Sequence, residues 1–277
     1  MTVGFVLSDV SLTVAQAATV ALPKSPRLPG LAALRSRWWA AVPPLTIAGF
    51  VLLVRARPSA VDGLSYLALI GLPPLAAFAL ARGVRPARAR GALLVAPLLA
   101  LAWAAPQALP GQAAGLTLSM LAAVALAVLL TELVPGGWLM GGMVAMAVLD
   151  VALLAGHLLQ PADHLLRAAS PAHGMPTLQT SVLGSAVCGF GDLFIAALFG
   201  AMVAARGRGQ LGAALLTLGL ALPFDALFLV AHDLPATVPV AAAMVVVEAR
   251  RRLRRWRRPI EAVAPATRPA TATASAG

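Results

Sequence analysis

The sequence is poor in cysteine and in charged side chains. Its 277 residues include one cysteine, Cys188, and only 11% of them are Asp, Glu, Lys or Arg. A single cysteine excludes an internal disulfide and the cysteine-rich metal sites that are recognised by their spacing. So few charges, together with 60% hydrophobic residues, exclude an ordinary soluble globular domain. The composition predicts an integral membrane protein.

Long apolar runs recur along the chain, each close to the roughly 20 residues that cross about 30 Å of hydrocarbon as a helix. A signal peptide is the alternative interpretation of the first run, but that run lacks a basic start, and we expect a retained helix. We therefore predict an all-α polytopic membrane protein with nine spans, at residues 1 to 22, 38 to 54, 63 to 81, 91 to 106, 113 to 133, 137 to 158, 181 to 204, 211 to 230 and 235 to 248.

Positive charge is distributed unevenly between the predicted loops. With nine spans and a cytoplasmic C-terminus, all of the 21 basic residues except Arg55, Arg57 and Arg167 lie on the cytoplasmic side. This asymmetry predicts a plasma-membrane protein with its N-terminus outside. We interpret the basic run ARRRLRRWRRP as a topology anchor that contacts anionic lipid headgroups rather than nucleic acid. The predominance of Arg over Lys, with abundant Ala, Gly and Pro, indicates a GC-rich and hence bacterial genome.

Three aspartates lie within predicted spans: Asp150 in the sixth, Asp192 in the seventh and Asp225 in the eighth. Ionisable groups are costly in a bilayer, and those present usually face the protein interior and have a function. At a rise of about 1.5 Å per residue, Asp150 and Asp192 lie about 20 Å and about 18 Å from the inner membrane edge. The two carboxyls therefore lie at matching depth on antiparallel helices.

Two adjacent carboxyls share one proton and titrate as a unit. Aspartic proteases activate water in this way, with no metal or cofactor. Gly189 and Gly191 leave space beside Asp192, although small residues also serve helix packing. Pro235 and Pro239 free backbone acceptors at the start of the last span, although Pro235 also suits the start of a helix.

In these elements the chain resembles the presenilin and signal peptide peptidase family of intramembrane aspartyl proteases. The resemblance implies a presenilin-like fold, hydrolysis of peptide bonds within transmembrane helices, and no cofactor or metal. It also implies catalytic roles for Asp150 and Asp192. In the family a Leu stands at the position of Thr237 and a Tyr at that of Leu149. The matching elements are Asp150, the Gly-x-Gly-Asp motif Gly189, Phe190, Gly191 and Asp192, and a Pro-Ala-Leu-like element at Pro235, Ala236 and Thr237. The resemblance implies substrate binding by Gly189, Phe190 and Gly191 and by the Pro-Ala-Leu-like element.

Together, the resemblance and the composition divide the chain into three parts. Residues 1 to 133 form a scaffold of about five helices, residues 134 to 248 carry the catalytic helices six to nine, and residues 249 to 277 are a basic, disordered cytoplasmic tail. The orientation deduced from the arginines resembles that of signal peptide peptidase. The expected partners are the lipid bilayer and transmembrane peptide substrates whose N-termini lie in the cytoplasm.

Two other functions fit parts of the pattern. Prepilin peptidases also use a Gly-x-Gly-Asp aspartate, but they usually have a basic residue soon after it, where this chain has Leu193, Phe194 and Ile195. A proton- or cation-coupled transporter would use Asp150, Asp192 and Asp225 as a relay. The environment of Asp225 distinguishes this alternative, because Asp225 can instead bond to backbone loosened by Pro223.

Overall fold

A computed structural model describes residues 3–24, 28–156, 158, 164–166, 169, 175–207, 209–229 and 235–261. Short 3-10 segments precede two of its helices, at Arg37–Ala41 and Ala89–Leu94, and a π turn, Ala79–Gly83, follows another. The helices are α1 (Val3–Ala21), α2 (Val42–Ala56), α3 (Ala60–Phe78), α4 (Val95–Ala104), α5 (Leu109–Leu133), α6 (Gly136–Ala155), α7 (Phe190–Ala205), α8 (Gln210–Asp225) and α9 (Thr237–Glu261).

Several of these helices have the length and composition of membrane spans. Three further helices, Ala89–Ala104, Phe190–Ala205 and Gln210–Asp225, are apolar but shorter. The chain is therefore predominantly helical and of membrane type, as predicted, whereas the count of nine spans stays a prediction. Within the described residues, five helical segments are long and apolar enough to cross a membrane: Gly4–Ala21, Arg37–Ala56, Ala60–Gly83, Leu109–Leu133 and Gly136–Ala155.

The predicted seventh span is not one continuous helix. Its first residues form an antiparallel hairpin of β1 (Thr180–Leu183) and β2 (Ala186–Gly189), in which Thr180 pairs with Gly189. β-Branched residues in both strands favour this conformation, and Gly184, at φ +62°, supplies the left-handed backbone of the tight turn. The predicted helix over 181 to 204 is therefore wrong for its first part. Asp192 lies in the first turn of α7. The residues from Asp192 to Ala204 are helical, as the estimate of its depth in the membrane assumes.

The last helix is longer than predicted. It continues past residue 248 to Glu261, where the sequence predicts a disordered tail from residue 249. Glu248 lies within ion-pair distance of Arg251 and Arg252, at 3.6 and 3.7 Å, the spacings that stabilise consecutive helical turns. Residues 262 to 277 lie outside the described part.

The core is centred on α5 and α7. Helix α5 packs against α3, α4 and α7, while α9 packs against α6, α7 and α8. Helix α1 packs against α7 and α8, and its Val20 backbone passes directly over Gly200, where a side chain would collide with it. Leu12 and Val20 of α1 are buried in this core, and retention of α1 rather than its cleavage as a signal peptide stays a prediction.

Helix ends that the predicted nine-span topology assigns to the same side of the membrane lie close together. Main-chain hydrogen bonds join Ser36 to Leu133 at 2.9 Å and Lys24 to Gly83 at 2.6 Å, and Arg206 pairs with Glu248 at 2.9 Å. These are all predicted inner ends. Gln112 accepts a hydrogen bond from the Gly184 N–H at 2.8 Å, which joins two predicted outer ends. Each of these contacts joins ends that the nine-span topology assigns to the same side, and both that topology and the cytoplasmic assignment of one side stay predictions.

Candidate aspartate site

Asp150 is held by the start of α9. Its side chain is buried in α6, and its Oδ2 accepts a hydrogen bond of 2.6 Å from the hydroxyl of Thr237. Thr237 is the first residue of α9 and only 2% exposed. The residue that departs from the family's Pro-Ala-Leu pattern thus supplies a hydroxyl donor to one of the two predicted catalytic acids.

Asp192 lies at the N-terminus of α7. Its Oδ2 accepts a hydrogen bond of 3.1 Å from the Gly189 N–H, and the Cys188 Sγ lies 3.8 Å from the same oxygen. A carboxylate in the first turn satisfies a free backbone donor and interacts favourably with the positive end of the helix dipole. The hairpin therefore presents Asp192 at a helix start, where the backbone helps to hold it.

The glycines of the motif leave room on two sides of Asp192. A Cβ on Gly189 would lie 3.3 Å from the Asp192 Oδ2, and a Cβ on Gly191 would lie 3.6 Å from the Met146 Cε. Met146 is one helical turn before Asp150 on α6, so Gly191 brings the start of α7 beside the segment of α6 that carries Asp150. Phe190 packs against the core as a partly buried side chain.

Gln16 of α1, which is not among the predicted site residues, contacts both the start of α7 and the residue before α9. Its Nε2 donates to the main-chain oxygens of Asp192 at 3.3 Å and Ala236 at 3.1 Å. The side chain is 4% exposed. The available signal was a lone amide in the apolar stretch VAQAATV, where a polar group needs an internal partner.

Asp225 has a different set of neighbours. Its Oδ2 accepts a hydrogen bond of 2.6 Å from the Thr13 hydroxyl of α1, rather than bonding to backbone near Pro223. Asp9, one turn before Thr13, lies close enough to Asp225 to interact with it electrostatically. The Asp225 carboxylate is half-buried and belongs to the contact between α1 and α8.

The two predicted catalytic acids thus connect to consecutive residues at the start of α9. Asp150 is bonded directly to Thr237, and the main chain of Asp192 is linked through Gln16 to Ala236, which precedes Thr237. Pro235 stands immediately before them and is half-buried. In the described part of the chain, no three His, Cys, Asp or Glu side chains lie together as a metal site would require.

Comparison of the chain with protein-family models, with curated proteins and with solved structures finds no match. The likeness to presenilins and signal peptide peptidases is carried by Asp150, by the motif that ends at Asp192, and by the Pro235 element. Membership of that family stays a prediction.

Proposed function

We propose that the protein is an intramembrane aspartyl protease that hydrolyses peptide bonds within transmembrane helices, with Asp150 and Asp192 as its catalytic pair. The observation that supports this most is the connection of both acids, from different helices, to Ala236 and Thr237. An acid pair needs a shared and rigid support, because its action depends on two carboxyls that keep one geometry.

The reaction follows from the chemistry of a shared proton. The ionised member of the pair takes a proton from a water molecule, whose oxygen attacks the carbon of the scissile carbonyl. The protonated member donates its proton to the carbonyl oxygen, which gives a neutral tetrahedral intermediate. When this collapses, the C–N bond breaks and the amine nitrogen, the leaving group, receives a proton from one carboxyl. The other carboxyl, now ionised, takes the proton of one hydroxyl of the intermediate as the C=O bond of the product acid forms, and the pair returns to its starting state.

The substrate is a transmembrane peptide, because the acids lie on helices that pack within an apolar bundle. Such a peptide must enter from the bilayer and unwind locally, since the carbonyls of an intact helix are already hydrogen-bonded. With the arginine-rich ends in the cytoplasm, the polarity is that of signal peptide peptidase, and substrates with cytoplasmic N-termini are preferred. The basic continuation of α9 then lies at the anionic inner surface of the membrane.

The test uses purified protein in liposomes with a panel of membrane-spanning peptides, and mass spectrometry identifies the products. We expect Asp150→Asn and Asp192→Asn each to lower the cleavage rate by at least about 100-fold, the size of a lost acid–base group. Asp62→Asn is the matched control, because Asp62 is an exposed acid in the first turn of α3, and it should cleave at the wild-type rate.

The variant Asp225→Asn distinguishes the proposed protease from the alternative of a transporter that uses three aspartates as a relay. Because the Asp225 carboxylate is bonded to Thr13 and not to α9, we expect this variant to keep substantial cleavage. Loss of cleavage as complete as in Asp150→Asn, in an equally folded protein, would favour a relay of three acids. Full cleavage by folded Asp150→Asn or Asp192→Asn, or no cleavage by the wild type, would contradict the proposed function.

A further inference from the structure

We infer that Gln16 is a positioning residue of the aspartate site: its amide fixes the start of α7 relative to the start of α9, and so fixes Asp192 relative to Asp150. This inference rests on the proposed function. The Gln16 amide group carries two N–H donors, and its Nε2 lies 3.3 Å from the Asp192 oxygen and 3.1 Å from the Ala236 oxygen. One side chain thus joins two segments that are 44 positions apart in the chain, 192 and 236.

The hydrogen bonds of Gln16 affect the separation of the two carboxyls, because each segment that Gln16 contacts holds one of the acids. The carbonyl of Asp192 belongs to the acid itself, and the carbonyl of Ala236 immediately precedes Thr237, whose hydroxyl holds Asp150. A shift of either segment would therefore change the separation of the two carboxyls. Gln16 is buried, and in an interior of low dielectric its hydrogen bonds are stronger and their loss costs more.

The alternative is that Gln16 only fastens helices together, as polar side chains do in membrane bundles. The chain contains an example of that kind in a residue that is less buried than Gln16. Gln210, at the start of α8, donates from its Nε2 to the Pro23 oxygen at 2.6 Å, and the same nitrogen lies 3.4 Å from the Gly200 oxygen and 3.5 Å from the Val20 oxygen of α1. Gly200 lies about 12 Å along α7 from Asp192, so this second amide joins α1, α7 and α8 away from the acids.

The experiment compares Gln16→Met with Gln210→Met, because Met keeps the length of Gln and removes both donors. Cleavage of one membrane-spanning peptide is measured at several concentrations, and thermal unfolding is measured for each variant. We expect Gln16→Met to lower kcat by about 10- to 100-fold with little change in KM, because small misplacement of catalytic groups acts on the chemical step. Gln210→Met should keep kcat within about twofold, whatever its loss of Tm. An unchanged kcat in Gln16→Met, or equal losses in both variants, would overturn the inference.

A second measurement does not depend on catalysis. Cys188 is the only cysteine of the chain, is buried, and has its Sγ 3.8 Å from the Asp192 Oδ2, so its reaction with a maleimide reports opening at the start of α7. We expect the maleimide to react several-fold faster with Gln16→Met than with Gln210→Met. If the wild type cleaves no peptide, the proposed function fails, but the labelling comparison still tests the Gln16 contact. Equal labelling rates in the two variants would overturn that contact.

Discussion

Replacement of Thr237 by Val tests the contact at the centre of the site. The substitution removes the hydroxyl that donates to the Asp150 Oδ2 at 2.6 Å and keeps the volume and the β-branch of the side chain. Both partners are buried, with exposed fractions of 2% for Thr237 and 7% for Asp150, so water does not readily replace the lost donor. The change therefore acts on one hydrogen bond to one acid.

The magnitude follows from the charge of the acceptor. A hydrogen bond to a charged group contributes about 1.5–3 kcal/mol, and its loss leaves a buried carboxylate with one partner fewer. Because about 1.4 kcal/mol corresponds to a factor of ten, we expect kcat/KM to fall by about 10- to 150-fold. Thr237→Ser retains the hydroxyl and should recover most of this loss.

The assay is peptide cleavage in liposomes, with thermal unfolding as the check on folding. Thr217→Val is the matched control: its hydroxyl is fully buried and bonds only to the Ala213 oxygen of its own helix, at 3.0 Å. It should keep the wild-type kcat/KM. Wild-type cleavage by Thr237→Val, or an equal loss in the Val and Ser variants, would refute the reasoning that the hydroxyl orients Asp150.

Two further predictions concern helix packing and membrane topology. Gly200→Ala should lower stability by about 1–3 kcal/mol, because its Cβ would collide with the Val20 backbone. Gly219→Ala, which meets nothing within 4 Å, should unfold at or above the wild-type temperature; the same Tm for both variants would contradict the close contact of α1 and α7. Reporter fusions at the C-terminus should report the cytoplasm and those within residues 159 to 180 the outside, and the reverse result would overturn the orientation deduced from the arginines.

The hairpin shows why part of the fold could not be predicted from sequence. The run from Thr180 to Gly189 is short and leads directly into the apolar stretch of α7, and periodicity alone does not distinguish a strand from a helix in so short a run. The sequence therefore predicts a single helix that includes this run. The turn at Gly184 and the β-branched residues beside it were the available signals, but they are weak next to the hydropathy of the whole segment.

Asp225 shows that local sequence also does not predict the hydrogen-bond partner of a half-buried polar residue. Its sequence neighbourhood, LPFDALF, suggested a bond to backbone near Pro223, the local partner. The structure pairs it instead with Thr13, which is 212 positions away. Local sequence predicts partners within a turn or two, because helix geometry fixes those distances, whereas the packing of helices decides the others.

The sequence by itself determined the membrane character of the chain, the approximate position of its helices and the order of Asp150, Asp192 and the Pro235 element. These properties depend on hydropathy and on the constant rise of a helix, both of which can be read locally. Only the tertiary structure decided that Thr237 bonds to Asp150, that Gln16 reaches from the first helix to Asp192 and Ala236, and that Asp225 lies apart with α1. Each of these contacts joins residues far apart in the chain, so it forms only when the apolar helices have packed and the buried polar groups have found donors or acceptors inside the bundle.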